Sequence, residues 1–303
     1  MKCDARQQLV NQLGVDPATG FAPSPLDNVG IQYGLAALES GAITPAQFAD
    51  LNASIGGFDY LGNPSTQRSL ASPVALHAVY ADDLDNSGAL GLQITPVIDQ
   101  RDDLDAIPGA NIHTSEWSFV MRARMQKAGD AANQVIIENA VLAAEVANVN
   151  AYELSAMNQW LDNIQGDPTW RGLKAKIASD KPVGLADGCF LNTSQTSPTL
   201  QPGGLTVTGT SGPCETVYPI YANTRIAAGQ PEDLYVLKCA LRPIDWSDYP
   251  VTFTPTEKAE LESAFPHGVC DFGRRGPQEQ PPIGSWLNYS LGTTPFRDVG
   301  GDG

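Results

Sequence analysis

Positive charge is scarce in this chain. Lys and Arg number 18 against 34 Asp and Glu in 303 residues, a formal net charge of −16. Arg274-Arg275 is the nearest approach to a basic cluster. A nucleic-acid footprint needs a basic stripe to neutralise phosphates, so that class of partner is excluded. Anionic membrane surfaces are disfavoured for the same reason. No apolar run approaches the roughly 18 residues of a membrane-spanning helix, so membrane insertion is not expected. The start, Met1 to Gln8, is polar and lacks the apolar stretch of a signal peptide. This reads as a cytosolic chain, a mature form, or a piece of a longer protein. Catalytic motifs are missing too. Neither Gly-x-Gly-x-x-Gly nor a P-loop occurs, which argues against dinucleotide and nucleotide enzymes. No Cys-x-x-Cys and no His-x-x-x-His occurs, which argues against zinc. The Gly-x-Ser-x-Gly elbow that exposes a nucleophilic serine is absent, and Gly209-Thr210-Ser211-Gly212 has the wrong spacing.

What is present points to a folded protein. Hydrophobic residues make up 42% and charged residues 17%, too apolar for an acidic disordered chain. Of five cysteines, Cys189, Cys214, Cys239 and Cys270 fall in the stretch richest in Gly, Pro, Ser and Thr. Loop-rich sequence with an even set of cysteines reads as disulfide-stapled, hence secreted or periplasmic. Four cysteines allow three connectivities, and the sequential pairing Cys189–Cys214 with Cys239–Cys270 is the expected one. Cys3 is left over, as though its partner lay elsewhere.

The chain divides into three segments. Residues 1–70 read as helical: one helix over 5–13, an apolar pattern at Ile31, Leu35, Ala36 and Leu38, and a start at Thr44-Pro45 with Thr44 as cap. Residues 71–180 read as α/β: an apolar helix over 73–80, a β-rich run over 92–98, a helix over 113–125 and a short strand over 133–137. Strand, acidic loop, helix, strand is a βαβ unit, which favours a parallel sheet. Two helices follow, over 141–149 and 154–164. Residues 181–303 read as irregular, apart from a helix opened by the Thr254-x-x-Glu257 capping box.

The chemistry-bearing signal is the run from Thr95 to Pro108. A β-rich stretch stops, and Asp99, Asp102, Asp103 and Asp105 follow within seven positions. In open α/β sheets, function gathers beyond the carboxyl ends of strands. A carboxylate there can orient a histidine and stabilise its imidazolium during acyl transfer. His113 follows Asp105 by eight residues; the other histidines are His77 and His267. A solvated acidic turn with a helix-capping histidine accounts for the same residues. Asp83, Asp85 and Ser87, ahead of Gly88, resemble the opening of a calcium loop, but Ile94 stands where a bidentate Glu belongs, so this reads as a turn and no cofactor is expected. His267 and Cys270 more simply mark a disulfide loop than a thiolate–imidazole pair. Asn52, Asn192 and Asn288 open sequons. Trp160, Trp170, Trp246 and Trp286 would support a binding surface if they faced solvent.

Several stretches together resemble exported bacterial proteins of the DUF6351 type, related to α/β-hydrolases. They are Cys3-Asp4 leading to Leu26-Asp27-Asn28-Val29-Gly30-Ile31-Gln32-Tyr33-Gly34-Leu35; Thr95-Pro96-Val97-Ile98-Asp99 through Ile112-His113; Asn133-Gln134-Val135-Ile136; and Leu237-Lys238-Cys239 through Phe265-Pro266-His267-Gly268-Val269-Cys270-Asp271. The resemblance implies a partial α/β-hydrolase-like sheet in 71–180, a helical lid-like segment in 1–70 and a disulfide-braced extension in 181–303. It implies an esterase-type serine hydrolase. Asp105 would be the acid, with Asp103 its close competitor, and His113 the base. The serine would lie outside this chain, in an N-terminal half that would be a partner, and self-association is the other expectation for exposed strand edges. The departure from the pattern is that the histidine comes early: the strand at 133–137 is followed by Glu138-Asn139. The alternative is a non-catalytic exported module that binds a polymer or a protein.

Overall fold

The computed structural model describes residues 5–105, 107–109, 113–141, 143–191 and 199–283. Cys3, Trp286 and the sequons at Asn192 and Asn288 lie outside them. In chain order come α1 (Ala5–Leu13), α2 (Leu35–Glu39), α3 (Pro45–Ser54), β1 (Gly57–Phe58), β2 (Pro64–Ser65) and α4 (Pro73–Ala81). Then follow β3 (Val97–Asp102), α5 (Glu116–Ala128), β4 (Gln134–Asn139), α6 (Ala143–Gly166), α7 (Leu173–Ser179), β5 (Gly188–Phe190) and β6 (Gln201–Pro202). The last are α8 (Pro213–Val217), β7 (Ala240–Arg242), α9 (Pro255–Ala264) and β8 (Val269–Asp271). Two compact units result: one from the residues up to Asp85 together with those from Asn223, the other from Asn86–Ala222.

The first unit joins the two ends of the described chain. Local signals start its helices. Thr44 caps α3 and Thr254 caps α9, each with Pro at the first position and its own backbone N–H donating back to the Gln47 or Glu257 side chain. Such a cap contributes about 1 kcal/mol. α3 and α9 then close over Leu38, Phe48, Phe253, Leu261 and Phe265. Trp246, Tyr249 and Phe253 stack at one end of this core, with ring centroids 5.2–6.0 Å apart. The apolar pattern from Ile31 yields only the short α2, because Gly34 takes a left-handed conformation at its start. Gly30 also needs φ +81°: a Cβ there would meet Leu241 and the Cys270 backbone, and its carbonyl accepts from Cys270 N at 3.0 Å.

Two half-buried arginines stitch loops that carry no regular pairing. Arg68 donates to the carbonyls of Asn28, Ile31 and Asn52, each at 2.9 Å, and lies 4.9 Å over the Phe265 ring. Arg225 donates to the carbonyls of Asp27, Val236 and Leu237. Asp27 in turn accepts from Ala71 N at 3.0 Å and pairs with Lys238 at 2.5 Å. The Cys239–Cys270 disulfide ties β7 to β8.

The second unit is a four-stranded sheet in the order β3-β4-β5-β6, with β3, β4 and β5 parallel and β6 antiparallel. β4 is buried along its whole length, as expected of a central strand covered on both faces. Val135 and Ile137 pack on one side with Trp160 of α6 and Ile177 of α7. Ile136 packs on the other with Phe119 of α5 and the Cys189–Cys214 disulfide. Both sequence-expected disulfides are therefore formed. A bridge closing a loop of this size is worth about 3 kcal/mol.

Two expectations shift. The β-rich run at 92–98 splits: Leu90–Ile94 is a 3-10 turn and the strand begins at Val97, running into the acids. Pro96 explains this, since it cannot donate to a ladder and marks the strand entry. The two helices expected over 141–164 are one, α6, because nothing between them breaks a helix. Among the described residues no helix is long and apolar enough to cross a membrane.

Removing Arg68 should strand three loop carbonyls. Arg68→Ala is expected to cost about 3 kcal/mol in urea unfolding. Arg68→Lys should restore less than half, because an ammonium lacks the planar fork. A loss below about 1 kcal/mol for the alanine variant would contradict this role.

Candidate functional site

Asp102, Asp103 and Asp105 lie at and beyond the carboxyl end of β3, whereas Asp99 lies within the strand. The parallel register sets Arg101 opposite Glu138 and Asp102 opposite Asn139. Strand alternation sorts the side chains by face. On the α6 face, Asn139 donates to Asp102 at 2.7 Å and Gln100 donates to Asn139 at 2.8 Å. On the α5 face, Gln134 donates to Asp99 at 3.1 Å, and Arg101 pairs with Asp99 at 3.4 Å and donates to the Ser118 hydroxyl.

Asp105 sits just beyond β3 and anchors the start of α5. Its Oδ2 accepts from Ser115 N at 2.8 Å, while its buried Oδ1 has no hydrogen-bond partner among the described residues. A carboxylate at a helix N-terminus meets unsatisfied amides and the positive end of the dipole. Asp103 lies beside it, its backbone N–H bonded to Asn139 O at 2.8 Å. Burial, and then the Asp105 charge, raise the Asp103 carboxyl above its ordinary value.

Glu138 is the residue that the sequence reading passed over. It is fully buried, with neither carboxyl oxygen in a geometric hydrogen bond among the described residues. Burial pushes it up to about 8; Asp105 and Asp103 add to the shift, while the Ser115 hydroxyl and Arg101 oppose it. At neutral pH it therefore holds its proton. Glu153 on α6 is raised to about 8 as well, by burial and then by Asp102 and Asp99. The missed signal was an acid closing an apolar strand, at the spacing that puts Glu138 on the face of Ile136.

His113 is exposed, and no hydrogen bond joins it to Asp105; Asp105 instead binds the backbone two residues further on. His77 is exposed in the first unit, its Nδ1 3.2 Å from the Gln280 amide. His267 is exposed beside Arg242 and Trp246. Asp83, Asp85 and Ser87 lie at the turn after α4, and among the described residues no group of three or more His, Cys, Asp or Glu is placed to hold a metal ion. Trp160 is buried and donates to Ile177 O, Trp246 is half-buried under Lys258, and Trp170 is wholly exposed.

The acids thus gather at one end of a parallel strand pair. The chain belongs to the DUF6351 family, described as a tannase-like family of unknown function, whose model matches residues 1–281. No curated protein and no solved structure matches it.

The raised carboxyl gives a pH dependence of known sign. With a folded value near 8 and an ordinary value of 4.5, the stability associated with Glu138 is full below about pH 4.5 and is lost as pH rises toward 8. The slope is at most about 1.4 kcal/mol per pH unit. Glu138→Gln should flatten that decline, so that its urea midpoint exceeds the wild type's at pH 8.5 but not at pH 4.5. Parallel profiles for the two proteins would refute the assignment.

Proposed function

We propose that this chain is part of an exported ester hydrolase of the serine type. The observation that carries the reading is the tannase-like family match, taken with Asp105 beyond β3 of a parallel βαβ unit. Asp105 has the form a triad acid needs: one oxygen anchored on backbone, the other unused among the described residues. His113, two residues before the amide that Asp105 holds, is the base. Turning inward, its imidazole N–H would find the unused Oδ1. It would then take the serine proton and pass it to the leaving alcohol, with Asp105 stabilising the imidazolium. Asp103 is the second candidate for the acid.

The remaining assignments follow from this reading. The serine comes from outside these residues, since Ser115 and Ser118 are buried and no elbow motif occurs. Residues 71–180 would form the late strands of a hydrolase-like sheet, 1–70 a lid, and 181–303 a disulfide-braced extension. A segment carrying the serine, or a second copy of this chain, would be the partner, and the substrate an ester, free or polymeric. Two disulfides fit an oxidising compartment, secreted or periplasmic. The fully exposed Trp170 favours a second reading, a binding module for a polymer or protein.

The test is turnover of a p-nitrophenyl ester by the complete enzyme. His113→Ala and Asp105→Asn should each lower kcat by about 10³-fold or more, with KM little changed. Asp103→Asn should cost far less. Wild-type turnover by the His113 variant would sink the assignment, and a fluorophosphonate adduct on this chain alone would place the nucleophile within it.

A further inference from the structure

A cavity of about 590 Å³ opens in the first unit, bounded by the loop after α1, the β1–β2 hairpin and the start of α4. That volume suits a drug-sized molecule. Val15, Leu26, Phe58, Tyr60, Leu70 and Val74 all line it, and each is between 54% and 70% exposed. Isolated exposed apolar side chains are ordinary, but six around one concavity mark a binding site.

The walls are braced without any ligand. Ser72 N bonds to Ser24 O at 2.8 Å, and Phe58 N bonds to the Ser69 hydroxyl at 2.9 Å. The Phe21 ring lies 5.2 Å from that of Tyr60. A groove held open in this way orders little on binding, so most of the apolar contact counts towards affinity. One polar group is available at the mouth: Ser72 stands at the cap position of α4, yet its hydroxyl makes no capping bond.

Charge excludes one ligand class. Among the described residues lining the cavity, Asp16 and Asp59 are the only charged side chains, with no Lys, Arg or His. Both are fixed by their own turns: Asp16 by Ala18 N and the Thr19 hydroxyl, Asp59 by Leu61 N and Asn63. Hydrogen bonds from the Asn63 side chain and backbone hold the Asp59 carboxyl below the usual carboxylate range, so it stays ionised. Two fixed carboxylates with no counter-cation disfavour an anionic guest by about tenfold at low salt.

We propose that this groove binds a small non-anionic molecule with an aromatic or branched-alkyl body and one hydrogen-bonding oxygen or nitrogen, and that it rejects anions. The inference does not rest on the residues proposed for catalysis, Asp105 and His113, which lie in the second unit.

The test compares two fluorescent probes of one skeleton. N-phenyl-1-naphthylamine is neutral, and 1-anilinonaphthalene-8-sulfonate adds a sulfonate. The intact chain should bind the neutral probe saturably at one site, and the sulfonate about tenfold more weakly in low salt. Raising the salt should narrow that gap. The double variant Leu26→Ser/Leu70→Ser should weaken the neutral probe at least tenfold with no change in thermal midpoint, because both side chains are exposed. Asp16→Asn should strengthen the sulfonate and leave the neutral probe unaltered. Three outcomes would overturn the proposal: no saturable binding of the neutral probe by folded protein, equal affinity for the two probes at low salt, or neutral-probe binding untouched by the double variant.

Discussion

The parallel pairing of β3 with β4 is the constraint on which the candidate site depends. The ladder brings Arg101 opposite Glu138 and Asp102 opposite Asn139. It thereby gathers acids from two strands at one end of the sheet, although β4 is buried along its whole length and β3 only half-buried. Glu138 rides into the interior because it continues the strand that carries Val135, Ile136 and Ile137, all fully buried. Its charge is the casualty. A carboxyl with no geometric donor among the described residues, beside Asp103 and Asp105, keeps its proton at neutral pH. The end of the sheet is thus less negative than its sequence.

The first unit solves a different problem. It has little sheet, and its long connections need partners for their backbone carbonyls. Arg68 and Arg225 supply them, each guanidinium reaching three carbonyls. Asp27 locks the arrangement through Ala71 and Lys238. In so acidic a chain, several of the few cations are spent as internal struts, which leaves a surface of mainly negative sign. That field attracts cations and is hostile to nucleic acid.

Membership of a tannase-like family of unknown function is shown over residues 1–281, and the acid-rich end of the parallel sheet is compatible with the proposed ester hydrolysis. Asp105 is anchored on the Ser115 amide with its other oxygen unused among the described residues, whereas His113 faces solvent. Glu138 occupies the strand end where the sequence offered no histidine, and the Asp105 charge adds to the upward shift of its carboxyl.

Much of this was legible in the sequence. Thr44-Pro45 and Thr254-Pro255 started helices where their caps said they would, because capping is a contact over three residues. The cysteines paired in sequential order, and the βαβ reading of 92–137 stands with its strands shifted to Val97–Asp102 and Gln134–Asn139. The split at Pro96 and the continuity of α6 were harder to read, since apolar runs leave strand, turn and helix nearly degenerate. The sequence by itself determined charge, local starts and the presence of acids near position 100. Only the tertiary structure decided that Glu138 is neutral, that Asp105 holds Ser115 rather than His113, and that six scattered apolar residues share one groove. Those outcomes depend on burial and on proximity between distant segments, and no local spacing encodes either.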